Sequence, residues 1–246
     1  MKIDMIGSKD LPVIVMIHAM YMDFTMFHEL INIVKGHYCI VLPTLHGHEG
    51  INASSFSSVQ KETLDIITFL KEQHIQQIEL LLGVSLGGII AFDVCQTREI
   101  RIHHTVIDGA PLIQFPAYKI WVMKKLFQYI AHQSANNPDR SNILDRLFPK
   151  HASHMKQLCG NMSDHTIQQL AIACYRYPLG QIVKLNTDET LTFLYGTKEK
   201  ASMCIPRLEK FANCQILRKV GYHHCEFLEK EPQNYARLLL DIIGKE

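Results

Sequence analysis

The sequence lacks any long apolar run and any closely paired cysteines. Its apolar stretches end well short of the roughly 18 uninterrupted residues that a membrane-spanning helix needs. The start of the chain, MKIDMIGSKDLP, carries acidic side chains and no long apolar stretch, so it does not read as a secretory leader. The 7 cysteines are an odd number and form no C-x-x-C pair. These absences predict a soluble, reduced, cytoplasmic protein.

An excess of one charge sign is also missing. The chain has 25 lysines and arginines against 24 aspartates and glutamates, a net charge of +1. No global field therefore favours nucleic acid or an anionic membrane, and a partner has to be sought in local features. The 246 residues suffice for one α/β domain with an insertion, but not for two independent catalytic domains. We expect a small-molecule substrate, no nucleic-acid partner and no membrane partner, and the oligomeric state stays open.

The most informative stretch runs from Ile78 to Val94 and reads IELLLGVSLGGIIAFDV. It is typical of a buried strand, a glycine-rich turn with Ser85 at its apex, and a helix. G-x-S-x-G is the pattern of a nucleophile elbow, which exposes a serine at a sharp strand-to-helix turn. Gly83 and Gly87 are expected where a side chain would collide with the neighbouring strand or helix. The alternative is a serine that merely caps the helix.

Strand-like and helix-like segments alternate along most of the chain. Apolar runs at 13–17, 38–42, 78–82, 102–107, 191–195 and 215–220 predict strands, and amphipathic segments at 24–35, 59–74 and 232–243 predict helices. This alternation predicts an α/β fold with a doubly wound, mostly parallel sheet. Only helical patterns occur between Leu112 and Asn186, so we predict a core of 1–111 and 187–246 with a helical cap of 112–186. The cap is rich in Met, Tyr, Phe and His and contains the only tryptophan, Trp121, so we expect it to roof an apolar cavity over Ser85.

Several segments resemble the α/β-hydrolase family. Besides the elbow, Val13–Met20 (VIVMIHAM) resembles the family's strand ending in His-Gly-x, with Ala19 where glycine is usual. Pro43–Gly50 (PTLHGHEG) resembles its Pro-Gly-His-Gly loop, and Gly221–Pro232 (GYHHCEFLEKEP) resembles the segment with the catalytic histidine. The resemblance covers nearly the whole chain except the middle. It implies a sheet of α/β-hydrolase type with an inserted helical cap, and it identifies a superfamily rather than a substrate.

The resemblance also implies a catalytic triad. A serine hydroxyl is a poor nucleophile until a base takes its proton and a third group orients that base. On this fold the chain order is serine, acid, histidine, which points to Ser85, Glu199 and His224. His224 matches the family's segment better than His223, which falls on the usual glycine. Asp108 is the alternative acid because some relatives place the acid after that earlier strand, and otherwise it caps a turn.

Two backbone N–H groups are expected to hold the oxyanion. One belongs to Leu86, at the start of the helix that follows the elbow, and the other to Met20, directly after His18-Ala19. A backbone donor tolerates variation of its own side chain. The methyl group of an alanine at position 19 leaves less room than glycine for a ligand to approach the Met20 N–H.

The 14 histidines raise the question of a metal. The candidates are the run His46-x-His48-Glu49 and the pairs His103-His104 and His223-His224. None has the spacing of a defined zinc motif, so we expect neither a metal nor another cofactor.

The sequence therefore favours a serine hydrolase that cleaves an ester-like bond of a small, largely apolar substrate through an acyl-enzyme. A carboxylesterase is the default within the family. A carbon–carbon bond hydrolase, a lyase or an acyltransferase on the same triad remains open, as does a non-catalytic hydrolase-like binding protein. All three triad positions are filled, which disfavours the binding protein. The substrate itself is not specified, because the predicted cap carries no motif.

Overall fold

The computed structural model describes residues 1–50, 53–180, 182, 184–211 and 214–244. The predicted core and cap ranges also include 51, 52, 181, 183, 212, 213, 245 and 246, which lie outside the described residues. The strands are β1 (Lys2–Ile6), β2 (Val13–Ile17), β3 (Cys39–Thr44), β4 (Gln77–Val84), β5 (Arg101–Asp108), β6 (Thr190–Gly196) and β7 (Gln215–Lys219). The helices are α1 (His28–Val34), α2 (Val59–Glu72), α3 (Leu86–Thr97), α4 (Ala117–Asn136), α5 (Ile143–Leu147), α6 (Ala152–Gly160), α7 (Asp164–Arg176), α8 (Ile205–Leu208), α9 (Glu226–Lys230) and α10 (Pro232–Ile243).

Within the described residues the strands form one sheet of seven in the order β1-β3-β2-β4-β5-β6-β7. β1 pairs antiparallel with β3 at one edge, and every other pairing is parallel. Parallel strands carry helices on both faces, so their side chains are apolar in both directions, as in the fully buried VIVMI of β2. The predicted doubly wound, mostly parallel sheet is confirmed.

The order of the strands assigns the helices to the two faces of the sheet. The chain steps from β2 through α1 to β3 in one direction, and then through α2 and α3 to β4 and β5 in the other. Because such crossovers are right-handed, α1 lies on one face and α2 and α3 lie on the opposite one. The contacts agree, since α1 packs on α10 and α2 packs on α3.

The carboxyl ends of the central strands meet at one edge of the sheet. Ile17 at the end of β2 is in register with Gly83 of β4, and Val84 with Asp108 of β5. Asp108 is in turn in register with Leu194, near the end of β6. Side chains and loops that follow these strands therefore converge, and Ser85 comes directly after the middle strand β4.

Helices α4 to α7 are inserted between β5 and β6, in the segment predicted to form the cap. The helical patterns of this segment, at 118–132, 142–148 and 166–176, correspond to α4, α5 and α7, whereas the sequence did not indicate α6. Segment 24–35 was predicted as one helix, but it is a 3-10 turn at Phe24–Phe27 followed by α1. In the turn the Met26 N–H donates to the Asp23 carbonyl and the His28 N–H to the Thr25 carbonyl, each three residues back. None of the helices in the described ranges is long and apolar enough to cross a membrane.

Candidate active site

Ser85 occupies a strained turn between β4 and α3. Its backbone has φ 55° and ψ −112°, a conformation that residues other than glycine rarely adopt. Two contacts hold it there: the Ser85 N–H donates to the Asp108 carbonyl at 2.7 Å, and the Ser85 carbonyl accepts from the Gly88 N–H at 3.0 Å. The strain is therefore balanced by the neighbouring strand β5 and by the first turn of α3.

The glycines around Ser85 allow two elements to approach closely. A Cβ on Gly83 would lie 2.3 Å from the Gly87 carbonyl oxygen, and a Cβ on Gly87 would lie 2.2 Å from the Ile17 carbonyl oxygen. Both obstacles are backbone atoms, which cannot move aside like a flexible side chain. The prediction that side chains at positions 83 and 87 would collide with neighbouring elements is confirmed.

The structure brings Ser85, His224 and Glu199 into one chain of hydrogen bonds. His224 follows β7, and its Nε2 lies 2.9 Å from Ser85 Oγ. Its Nδ1 lies 2.7 Å from Glu199 Oε2, and Glu199 Oε1 accepts the Gly196 N–H at 2.6 Å. With Nδ1–H donating to the carboxylate, Nε2 is left to accept the serine proton. His223 is exposed on the same loop and lies outside this chain of bonds.

Opposing effects act on the pKa of His224. Burial lowers it, but the neighbouring Cys225 and the hydrogen-bonded Glu199 carboxylate outweigh burial and hold the pKa well above its usual value of 6.5. Glu199 itself is buried. The arrangement therefore favours the imidazolium, the form that a general base reaches after it has taken a proton.

Asp108 lies at the same edge of the sheet but has a different partner. Its Oδ2 accepts a hydrogen bond from the Tyr235 hydroxyl of α10 at 3.0 Å. Burial, followed by the charge of Glu199, raises the pKa of the Asp108 carboxyl to about 7. Of the two candidate acids, the structure thus brings Glu199 to His224 and Asp108 to Tyr235.

Gly109 provides the space in which His224 and Glu199 meet. A Cβ at this position would lie 2.9 Å from His224 Nδ1 and 3.1 Å from Glu199 Oε2. The residue also has φ +63°, and its N–H donates to the Leu194 carbonyl at 2.9 Å. Sequence reasoning assigned no role to Gly109, although an Asp-Gly pair directly after a strand signals a turn at the sheet edge.

The two expected oxyanion donors lie at the sheet edge where the neighbouring strands β2 and β4 end. Leu86 is the first residue of α3, and Met20 follows β2. Within the described residues neither N–H donates to another protein group. The Ala19 N–H instead points to Met26 Sδ at 3.3 Å. Both donors are therefore available to a ligand.

Two buried histidines, His18 and His48, hold the loop that carries Met20. His18 Nε2 accepts the Leu45 N–H at 3.0 Å while its Nδ1 bonds the Ala19 carbonyl at 2.9 Å. His48 Nε2 accepts the Tyr21 N–H at 3.1 Å. Burial lowers the pKa of His18 to about 4 and that of His48 to about 3, so both rings are neutral and each can accept through one nitrogen. The sequence showed both histidines but not this role.

The histidine-rich segment at 46–49 is occupied by protein contacts. His46 Nδ1 lies 2.8 Å from Glu62 Oε1, and its Nε2 lies 2.7 Å from the amino group of Met1. His104 Nδ1 contacts the Thr190 hydroxyl at 2.9 Å. In the described parts of the chain, no group of three or more His, Cys, Asp or Glu side chains has a geometry that could hold a metal ion.

Trp121 lies on the exposed side of α4. Its side chain is 61% exposed, because the phase of α4 turns Ile120 and Phe127 inward and Trp121 outward. The inward aromatic contacts are made by Phe127, whose ring centre lies 6.2 Å from that of Tyr21 and 6.0 Å from that of Tyr175. In the apolar cluster of Tyr21, Phe127 and Tyr175, Tyr21 is the residue that directly follows Met20 in the chain.

Comparisons with known proteins agree with this fold. The model of a family described as "Alpha/beta hydrolase family" matches residues 14–201. No curated protein matches the sequence significantly. Among solved structures, an α/β hydrolase family protein from Desulfitobacterium hafniense is 20% identical with a TM-score of 0.80, covering 98% of this chain and 100% of the other. A hydrolase from Pseudomonas aeruginosa is 15% identical with a TM-score of 0.77, covering 98% and 93%. A carboxylesterase from Nitrososphaera gargenis is 16% identical with a TM-score of 0.75, covering 99% and 94%. Identities this low show a shared fold.

Proposed function

This chain belongs to the α/β hydrolase family, and we propose that it is a serine hydrolase that cleaves an ester-like bond of a small, largely apolar substrate. The observation that carries the proposal is the unbroken path from Ser85 Oγ to His224 Nε2, at 2.9 Å, and from His224 Nδ1 to Glu199 Oε2, at 2.7 Å. A serine that merely capped α3 would need no such path. In fact the Ser85 side chain makes no capping hydrogen bond to α3.

In the proposed mechanism, Ser85 Oγ attacks the carbonyl carbon of the substrate while its proton passes to His224 Nε2. The Glu199 carboxylate stabilises the resulting imidazolium through Nδ1–H. The N–H groups of Met20 and Leu86 bind the oxyanion of the tetrahedral intermediate. His224 then protonates the leaving alcohol, and an acyl group remains on Ser85. A water molecule that loses its proton to His224 releases the acid and restores the serine.

The preference for an apolar substrate rests on the cluster of Tyr21, Phe127 and Tyr175. It lies between the loop that carries Met20 and the inserted helix α4, and the rings of Tyr21 and Phe127 are buried. We propose that α4 to α7 act as a cap that binds the acyl chain against this cluster. The fold shared with a carboxylesterase supports the choice of ester among acyl compounds. The proposal requires no cofactor.

Labelling with a fluorophosphonate, followed by a chain-length series of p-nitrophenyl esters, tests the proposal. The native protein should be labelled and should hydrolyse short to medium esters. Ser85→Ala should abolish both while leaving the thermal unfolding curve nearly unchanged, since the Ser85 hydroxyl bonds His224 Nε2 and does not cap α3. Thr97→Ala, which removes another hydroxyl at the far end of the same helix, is the matched control and should keep both activities.

Other outcomes separate the alternatives. Labelling that persists in Ser85→Ala would place the nucleophile elsewhere. A protein that is labelled at Ser85 but hydrolyses no ester would favour a carbon–carbon bond hydrolase, a lyase or an acyltransferase on the same residues. A protein that is not labelled at all would favour a non-catalytic binding protein.

A further inference from the structure

The outer side of α4 exposes a row of large apolar side chains. Five large apolar or aromatic residues of this 20-residue helix are more than a third exposed: Tyr118 (66%), Trp121 (61%), Val122 (51%), Leu126 (39%) and Tyr129 (62%). At 3.6 residues per turn they fall within a sector of about 140°, so they form one continuous face. We call these five residues the α4 face. Scattered exposed apolar residues are normal, but a contiguous patch rimmed by polar groups marks an interaction site.

The α4 face is not needed to hold the helix in the protein. The opposite side of α4 carries buried Ile120, Phe127, Ile130 and Ala131, and through it the helix packs on α6 and α7. A helix that is apolar on both sides is normally covered on both sides. Within the described residues, nothing covers the outer side.

The charges on α4 are of one sign. The helix contains Lys119, Lys124 and Lys125 and no aspartate or glutamate, although the whole chain is nearly neutral. Lys125 lies within the angular sector of the α4 face and is exposed. At its C-terminal end, His132 is paired with Asp164 of α7 at 2.6 Å. The α4 face is therefore apolar and aromatic with a positive centre.

We propose that the α4 face docks the protein on an anionic phospholipid surface, with the helix lying in the plane of the interface. Tryptophan and tyrosine prefer the boundary between headgroups and acyl chains, and lysine side chains can extend from such a position to the lipid phosphates. A helix with an apolar face and basic residues lies on a membrane rather than across it. This agrees with the finding that no described helix is long and apolar enough to span one.

The charge distribution argues against a second copy of this chain as the occupant. A two-fold packing of one α4 face on another would bring the two Lys125 ammonium groups towards each other with no carboxylate on either helix to separate them. An anionic surface instead offers each lysine a partner. A basic protein surface would be repelled by Lys125 in the same way.

Docking goes beyond the proposed hydrolase activity and does not depend on it. It would bring the inserted helices to the lipid, with Phe127 on the opposite side of α4 contacting Tyr21 beside the loop of Met20. The Ser85→Ala protein should bind vesicles as the native protein does. Failure of docking and failure of the proposed chemistry are therefore distinguishable.

The test uses Trp121 as a built-in probe, because it is the only tryptophan and lies on the α4 face. The full chain is titrated with vesicles of phosphatidylglycerol and phosphatidylcholine, and with phosphatidylcholine alone. We expect a blue shift of the emission and quenching by brominated acyl chains with the anionic vesicles. Both effects should be lost in about 1 M salt, where the Debye length is about 3 Å. Little change is expected with phosphatidylcholine alone.

Variants distinguish the contribution of charge to vesicle binding from the contribution of the apolar side chains. Lys125→Glu should weaken binding to anionic vesicles by at least about fivefold, the effect of one lysine near such a surface. Lys210→Glu is the charge control, since Lys210 is also exposed but lies outside α4, and it should change binding little. Tyr129→Ser should weaken binding, whereas Leu64→Ser, at a position 55% exposed on α2, should not. Vesicle sedimentation reports on all variants.

Three results would overturn the proposal. One is an unchanged Trp121 emission with anionic vesicles. Another is binding that the two controls weaken as much as Lys125→Glu and Tyr129→Ser do. The third is a dimer in light scattering that Tyr129→Ser dissociates, which would identify the α4 face as a contact between two copies.

Discussion

Asp108→Asn should make the protein more stable at alkaline pH and not at acidic pH. Asp108 is buried, its carboxyl group accepts one hydrogen bond from Tyr235, and burial together with Glu199 raises its pKa to about 7. An asparagine has nearly the same shape, is neutral at every pH and can accept the same hydrogen bond through its carbonyl oxygen. The substitution therefore removes the titratable group and adds one buried amide N–H₂ group.

The magnitude follows from the difference between the folded pKa of about 7 and the ordinary value of 3.8. Each unit of difference is worth 1.36 kcal/mol, so the full effect is about 4 kcal/mol. Because the folded pKa is the higher one, aspartate costs nothing below about pH 4. Its cost grows as the pH rises towards 7 and is complete above that. The new amide N–H₂ group lacks an assigned partner and costs about 1–3 kcal/mol at every pH.

The net prediction is a change of sign. Asp108→Asn should be less stable than the native protein near pH 4 and more stable by a few kcal/mol near pH 8. Urea denaturation of both proteins across this pH range, followed by circular dichroism, measures the difference. The difference should change by about 4 kcal/mol between the two ends. A difference that does not vary with pH would refute the reasoning, because it would mean that Asp108 is ionised throughout.

The same variant, compared with Glu199→Gln, decides which carboxylate serves His224. Glu199→Gln should lose several orders of magnitude in kcat, since removal of the charge beside the imidazolium can cost up to about 10⁴. Asp108→Asn should lose at most about tenfold, which corresponds to about 1.4 kcal/mol. Both are read from p-nitrophenyl ester hydrolysis at a pH where each variant is folded. The opposite ranking would move the assignment to Asp108.

Two further predictions concern His224 and the cap. The pKa of His224 is held well above 6.5, and only its neutral form can act as the base. The acidic limb of the kcat/KM profile should therefore lie above pH 6.5, so that kcat/KM still rises with pH above that value. A profile that is already flat at pH 6.5 would contradict this. Phe127→Leu should shift the preferred acyl chain towards longer esters because it removes bulk from the cluster beside Tyr21, whereas Trp121→Leu, on the exposed side of α4, should leave the preference unchanged. If the two substitutions changed the chain-length preference equally, Phe127 would not be part of the acyl-binding site.

The elbow could be predicted from the sequence because its determinants are local. Ser85 is preceded by a buried strand and followed by a helix, and Gly83 and Gly87 are needed by contacts within that unit and with the adjacent β2. Alternation of apolar runs and amphipathic segments likewise specifies a parallel sheet, since each crossover needs a helix. Distant parts of the chain contribute little to the formation of the elbow or to the parallel pairing of the strands.

The role of Asp108 could not be read in the same way. Asp108 and Glu199 both follow strands whose carboxyl ends lie at one edge, so strand order leaves either free to reach His224. Their separation depends on Tyr235 of α10, which is 127 positions from Asp108 in the chain. The histidines that hold the Met20 loop pose the same difficulty, because His18 and His48 each accept an N–H from a loop 27 positions away. The hydrogen-bond partners of these side chains are determined by tertiary packing.

Net charge and local charge lead to different expectations about partners. The near balance of 25 basic and 24 acidic residues makes the long-range field weak, and the expectation of no membrane partner rests on that sum. At physiological ionic strength, however, a surface responds to charges within about 8 Å. Along α4 those charges are lysines set among exposed aromatic rings, and Asp164 of α7 is paired with His132 at the end of the helix. The acidic residues that neutralise the chain lie on other elements, so a nearly neutral protein can still present one basic, apolar side to an anionic surface.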